Sequence, residues 1–554
     1  MSDSASSGET SSGGEESSGP RLGPSPQVTR RALFGAAAAG VVAAGLGASG
    51  LGASPAQAAT ASAGSAAVTE VRARAVVVGS GFGGGVTALR LAQAGVPTLL
   101  LERGLRWPTG PNATTFPRIT QGLDYRALWL PPAGAVPWAP YTGLLETLQG
   151  NGMTVNVGAA VGGGSLMYHG MTLQPSLVNF ALSLPLMAGF YPELNQWAYP
   201  RVASMLGIST IPDDVLNSDP YRSSRLFLNT APKAGLQTFR VPLPIDWSFV
   251  RGELNGQYAP TYTTSDIGFG VNNGGKHSID VTYLAAAEAT GKVQVQTLHV
   301  VRDIALDPKQ RWVLSVDRID TAGVVQEKKS IVADAVFLNA GSAGTTRLLV
   351  KAKAKGLVPN LPSGVGTQWG NNGDQIYAWT QMNDDPGARQ GGPACVGGRP
   401  AVSAIPYTII HSGSPIQTPG VREMLLVGFG IEQPTGTWAY DANKDDATLT
   451  WRSSGDAALQ QLIANQMKAI AQAGGGQVTD TDSPAPSTWH PLGGVPMGTA
   501  VDLYGRVLGH RGLYVLDGSR IPGSTGACNP SMTIAALAEH SIATIVRQDL
   551  GPVF

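Results

Sequence analysis

The chain has 554 residues, 43% of them hydrophobic and 14% charged, with 38 basic side chains against 38 acidic. This is a globular composition with enough length for two or three domains, and it excludes a disordered or fibrous chain. The even charge balance gives no electrostatic footprint for a polyanion, so no nucleic-acid partner is expected.

Residues 1–58 read as an address rather than a fold element. Met1 to Gln27 is rich in Ser, Gly and Glu and is expected to be disordered. Arg30 and Arg31 then precede a weakly hydrophobic Ala/Gly/Val/Leu run ending in Ala56-Gln57-Ala58, which looks like a twin-arginine export signal with a small-residue cleavage site. The expectation is a secreted protein cleaved near Ala58, with the twin-arginine translocase as its partner during export and a membrane anchor as the alternative. With only Cys395 and Cys528 in the chain, the fold does not depend on a cystine framework, and whether the two pair stays open.

The first fold element is the apolar strand "ARAVVV", Ala73 to Val78, followed by "GSGFGGGVTALRLAQAG" and a second strand "PTLLLE" that finishes at Glu102. Strand, G-x-G-x-x-G, helix, strand and acid follow in the order a dinucleotide requires. Gly79 allows the tight turn, Gly81 lets a pyrophosphate approach the backbone, and Gly84 lets the helix pack against the sheet with its positive end toward the phosphates. Glu102 is placed to hold a ribose hydroxyl. The motif alone does not separate NAD from FAD.

Leu128 to Leu145, "LWLPPAGAVPWAPYTGLL", is apolar, Pro-rich and aromatic, and reads either as a lid over the substrate or as a buried irregular segment. The next stretch, "NVGAAVGGGSLMYHGMTLQP", carries Gly162, Gly163 and Gly164 in succession. Glycine packs almost nothing and permits unusual dihedrals, so the stretch is either a turn or the bed of something bulky, such as a flat ring system.

In the last 65 residues, His490 precedes Pro491 and Gly493-Gly494 and so sits at a sharp turn. Asn529-Pro530 reads as a helix start, Asn as cap and Pro at the first helical position. Ile534, Leu537, Ala538, Ile542 and Ile545 then recur at helical spacing.

Taken together, "VVVGSGFGGGVTALRLAQAGVPTLLLERG", the "VGGGS" loop with "GM" behind it, "QWGNNGD", "HPLGG", "GLYVLDGSRIPG" and "NPSMTIAALAEH" resemble the glucose-methanol-choline flavin oxidoreductases. Within them "KHSIDVTYLAAAEATGKVQVQTLHVV" and "VFLNAGSAGTTRLLVKAKAKGLVPNL" most resemble the bacterial cholesterol oxidases that hold FAD non-covalently. The likeness runs over nearly all of residues 71–554 and is weakest over 105–150 and 375–480.

The resemblance implies that the Gly-rich loop lies against the isoalloxazine ring and pyrophosphate, with Ser165, Met171, Val301, Pro530 and Thr533 also at the cofactor and Asp517 at its ribityl or phosphate region. It implies that His490 is the active-site histidine beside the substrate hydroxyl, with Asn529 as its partner over the flavin. His169 is a possible second polar contact to substrate. No metal is expected. The resemblance also implies a glutamate that isomerises a steroid ketone after oxidation, but nothing here matches it, Glu423 and Glu432 falling outside the equivalent position.

The expected fold is α/β: a Rossmann-like FAD-binding domain from residues 71–110, 155–175, 277–355 and 488–554, and a β-sheet substrate-binding domain with helices from 111–154, 176–276 and 356–487. The expected function is an exported FAD-dependent alcohol oxidoreductase that takes a hydride from a sterol-like or other bulky apolar alcohol and is reoxidised by O2. The alternatives are a dehydrogenase of a natural-product alcohol with a non-oxygen acceptor, and a non-catalytic flavoprotein.

Overall fold

The computed structural model describes residues 68–132, 134–482 and 486–554, and the twin-arginine pattern lies outside them. Two sheets organise the described chain. The first has seven strands in the order Val293–Gln296, Thr98–Leu101, Thr69–Val78, Val325–Leu338, Trp312–Ile319 and His299–Leu306, with Leu513–Val515 also pairing with Val325–Leu338. Thr69–Val78 runs parallel to both Thr98–Leu101 and Val325–Leu338, and Leu513–Val515 runs parallel to the end of the latter. The half with parallel pairs is apolar throughout, "AVVV" and "TLLL" being wholly buried, as expected of strands covered on both faces. Phe82–Gln93 and Ser531–Asp549 pack together over this sheet. Arg90 donates from Nε to Glu539 at 2.7 Å, and the Tyr283 hydroxyl donates to the same carboxylate at 2.9 Å.

The second sheet is antiparallel, in the order Gln477–Asp480, Gln375–Thr380, Glu423–Gly430, Tyr407–Ser412, Val396–Pro400 and Leu236–Arg240. Alternation along its strands gives it two different faces. Met424 and Leu426 pack in a core with Ile463 and Met467 of the helix Ala457–Gly474, whereas Leu425, Val427 and Ile376 face a cavity between the two sheets.

Two stretches that the sequence assigns to the substrate side pack with the first sheet instead. Phe180, Leu184, Leu194, Tyr199 and Val202 join its core, as do Trp438, Leu449 and Trp451 of the hairpin Thr437–Asp441/Asp446–Thr450. Their apolar faces meet the C-terminal helix and the helix Gly341–Ala354 respectively, a long-range choice that local sequence does not carry. Between Leu128 and Leu145 the chain is irregular, and Trp129 and Leu130 reach the cavity wall. Cys395 and Cys528 are both buried and free.

Candidate active site

Four chain segments leave the C-terminal ends of neighbouring parallel strands at one point: Gly79 after Val78, Glu102 after Leu101, Asn339 after Leu338 and Asp517 just beyond Val515. This is where an open parallel sheet places its ligand. All four residues line one cavity of about 660 Å³ that runs on between the sheets to His490.

Gly79 has φ +93°, the left-handed backbone that glycine accepts without strain. A Cβ on Gly81 would meet nothing within 4 Å, so the missing side chain leaves open space on the cavity. A Cβ on Gly84 would stand 2.0 Å from the Gly79 carbonyl oxygen, which makes that glycine a packing requirement and leaves it off the cavity wall. Gly341, with φ +79° and no atom within 4 Å of a Cβ, forms a second open cradle at the start of a helix. Two helix N-termini therefore face the same space, which suits a pyrophosphate.

Glu102 is fully buried, and burial pushes its carboxyl pKa up against the pull of its donors. Ser80 donates from its hydroxyl and its N–H to Oε2, while Gly104 N–H donates to Oε1 at 2.9 Å. Oε1 keeps a lone pair for a ribose hydroxyl. Asp517 is used differently: Oδ2 accepts from Gly341 N–H at 2.9 Å and from the Thr345 hydroxyl, and Oδ1 accepts from Ser519 N–H at 2.9 Å and from its hydroxyl. It fixes the second cradle through Gly341 and has little capacity left for a direct ligand role.

The Gly-rich loop needs its glycines for more than a ring system. Gly162 has φ +101° and Gly163 φ +56°. A Cβ on Gly162 would stand 2.4 Å from Leu166 Cδ1. Gly162 and Ser165 lie off the cavity wall, the Ser165 hydroxyl being spent on the Gly162 carbonyl at 2.7 Å and on Ile279 N–H at 3.0 Å. Only at Gly164 does a Cβ meet open space. Gly163, Gly164, Met171, Val301 and Pro530 line the cavity, whereas Thr533 is buried against the Tyr199 hydroxyl at 3.1 Å.

Asn529 also lines the cavity, but its amide is committed elsewhere. Oδ1 accepts from Leu173 N–H at 3.0 Å, and Nδ2 donates to the Met171 carbonyl and to Ser531 Oγ at 2.8 Å. For the same reason it does not cap the helix, which runs Ser531–Asp549 with Pro530 flanking it and no side-chain cap. Asn529 thus ties the C-terminal helix to the Met171–Leu173 segment.

His490 stands at the far side of the cavity. Its N–H donates to Thr488 Oγ1 at 2.9 Å, and its ring meets Phe429 edge-on at 5.6 Å. Its Nδ1 lies 3.5 Å from Asp374 Oδ1. His169 also lines the cavity, with Nδ1 3.3 Å from Ser412 Oγ. Burial, with Lys276 nearby, holds the His169 pKa down at about 4, so its ring is neutral at neutral pH. Burial likewise lowers Lys276 to about 7, and its Nζ donates to the carbonyls of Leu166, at 2.8 Å, and Tyr168. Asp374, Lys276, Ser412 and Asn339 are not assigned by the sequence reading. Asp374 ends the "QWGNNGD" stretch, where an acid in a Gly/Asn turn just before a strand is the signal available.

Residues 436–538 match the C-terminal domain of the GMC oxidoreductases. Over that stretch the chain resembles that family. It is similar to a cholesterol oxidase of Mycobacterium tuberculosis, 25% identical over 84% of this chain and 90% of that protein, and to one of Acinetobacter baumannii, 22% identical over 85% and 94%. A long-chain-alcohol oxidase of Arabidopsis thaliana is 26% identical over 53% of this chain and 36% of its own length. The fold is shared with pyridoxine 4-oxidase from Mesorbium loti, at TM-score 0.59 and 15% identity over 86% of this chain and 99% of that one. GMC oxidoreductases are FAD enzymes, and the open cradles at Gly81 and Gly341, the Glu102 oxygen and the two helix N-termini fit that dinucleotide.

Proposed function

We propose that this GMC oxidoreductase oxidises the carbinol of a bulky, largely apolar alcohol to a carbonyl, with FAD held non-covalently by main chain and Glu102. FAD, when bound, supplies a two-electron acceptor that takes the hydride of the carbinol carbon and passes the electrons to dioxygen as hydrogen peroxide. The chain's own part is to place the alcohol and remove its proton. His490 is the group available for the proton, because it places an imidazole on the cavity wall beyond the cradle, and an imidazole nitrogen can both accept a proton and return it. Leu425, Val427, Ile376 and Phe269 form the wall around it and select an apolar body. His169 and Ser412 add a neutral polar contact on the same cavity wall.

The observation that carries this reading is that Gly81 and His490 line one continuous cavity. The cholesterol and long-chain-alcohol oxidases among its relatives favour an alcohol of this kind. The twin-arginine pattern supports export of the loaded protein.

The test is anaerobic flavin bleaching with a panel of steroids, long-chain alcohols and polyketide alcohols, followed by peroxide detection in air. Bleaching by at least one alcohol is expected, and its rate is expected to fall by about 100-fold or more in His490→Ala, with flavin absorbance retained. A protein that stays yellow with every alcohol would sink the reading, and bleaching without peroxide would replace dioxygen by another acceptor.

A further inference from the structure

Asp374 is held on two sides. Its Oδ2 accepts from Trp489 N–H at 2.9 Å and from Thr488 Oγ1 at 3.4 Å, and its own N–H donates to the Asn371 carbonyl at 3.1 Å. That leaves Oδ1 facing His490 Nδ1 at 3.5 Å, and the buried Nδ1 has no other polar partner among the described residues. His490 is fixed in turn by its backbone bond to Thr488 Oγ1 and by the Phe429 ring. The Thr488 hydroxyl, whose one proton is shared between the Asn371 carbonyl at 3.2 Å and Asp374 Oδ2 at 3.4 Å, thus sits between the His490 backbone and the turn that carries Asp374.

We propose that Asp374 is the positioning residue of this site: it keeps the His490 proton on Nδ1, so that Nε2 presents a bare lone pair to the alcohol. The inference rests on the reading of His490 as the base. An ionised carboxylate only accepts, so the ring nitrogen opposite it must be the donor, and the tautomer follows. The alcohol O–H bond then breaks as the Nε2–H bond forms, and the resulting imidazolium lies against the Asp374 charge. A contact of 3.5 Å is longer than a formed hydrogen bond, and such contacts shorten when substrate seats.

Asp374 sits among other buried acids. Glu432 is pushed well above the usual carboxylate range by burial first and then by Asp456 and Asp374. Asp482 is pushed to about 7 by burial, with Asp374 and Asp480 adding to it, although the Ser487 hydroxyl donates to it at 2.8 Å.

Asp374→Asn separates this role from mere packing. Trp489 N–H is an obligate donor, so the single oxygen of Asn stays with it and the NH2 turns to His490. Nδ1 then becomes the acceptor and the ring proton moves to Nε2, facing the alcohol. The expected result is an anaerobic flavin-reduction rate lowered by about 100-fold or more, with KM and flavin absorbance near those of the parent enzyme. Asp374→Glu, which keeps an acceptor-only group, is expected to recover about tenfold of that loss.

Independently of turnover, the ¹⁵N shifts of the His490 ring, assigned by their loss in His490→Ala, should report Nδ1–H in the parent and Nε2–H in the Asn variant. In the His490→Ala background Asp374→Asn should have no further effect.

An Asn variant within about threefold of the parent, one that loses its flavin, an unchanged ring tautomer, a Glu variant no faster than Asn, or full additivity with His490→Ala would each overturn the proposal. A fast His490→Ala enzyme would instead overturn the base assignment itself.

Discussion

Gly163 and Gly81 touch through their backbones: a Cβ on Gly163 would stand 2.9 Å from the Gly81 Cα, whereas a Cβ on Gly81 points into open cavity. One glycine lets two loops meet, and the other leaves room for a ligand.

Gly81→Val should therefore give a folded protein without cofactor, because the side chain takes the pyrophosphate's space and strikes no protein atom at its Cβ. Near-parental far-UV circular dichroism with the 450 nm flavin band missing is the expected result. A flavin-replete variant would move the dinucleotide elsewhere.

Steroid alcohols, if oxidised, should not be isomerised efficiently. Moving a proton between ring carbons needs a group that accepts and returns it, and neither Glu423 nor Glu432 lines the cavity. Glu423 accepts from Thr418 N–H at 2.6 Å and Glu432 from Asn372 N–H at 2.9 Å. With cholesterol as probe, conjugated-enone absorbance should lag far behind flavin bleaching. Enone appearing in step with bleaching would assign the missing base to His169 or Ser412.

Acid should destabilise the fold partly through His411. This histidine is 1% exposed on the strand Tyr407–Ser412, and burial lowers its pKa to about 3. The unfolded chain binds more protons between about 3 and 6.5, so this contribution is complete above 6.5 and is lost as pH falls. It is worth about 2 kcal/mol by pH 5. His169 acts in the same direction, whereas Asp482, raised to about 7, acts in the opposite one. Urea midpoints at pH 7.5 and pH 5 should accordingly differ less in His411→Leu than in the parent, and equal differences would refute the assignment.

Removing Glu539 should cost more than an ordinary surface charge. Its side chain is fully buried and receives Arg90, itself 14% exposed, together with the Tyr283 hydroxyl. Glu539→Leu strands the Arg90 guanidinium, a loss of about 3–5 kcal/mol, visible as a lower urea midpoint. A midpoint unchanged from the parent would show that Arg90 finds water instead.

The parts legible in the sequence were those carried by local pattern. The strand ending at Val78, the glycines after it, the acid at Glu102 and the helical period from Ile534 to Ile545 all state their geometry within a few residues. Partnerships across the chain were not legible. Nothing around Asn529 announces that its amide will be taken by Met171 and Leu173, nor that Asp374 will come to face His490 from a different strand. The hairpin at Trp438 and the helices near Tyr199 joined the first sheet because their apolar faces match surfaces distant in sequence. Gly162 illustrates the same limit, since glycine demanded by backbone dihedral and glycine demanded by a ligand look alike until φ and neighbours are known.

The late strand Leu513–Val515 has a consequence for biosynthesis. It completes the first sheet beside Val336 to Leu338, Asp517 just beyond it anchors Gly341, and Glu539 clasps Arg90 on the glycine loop's own helix. A nascent chain exposes residues 79–104 early, yet the strands and clamps that shape them leave the ribosome hundreds of residues later. Ordering such distant contacts is slow, and a chain interrupted near residue 500 lacks both clamps. The glycine loop is therefore clamped only once synthesis has run to the C-terminal helix.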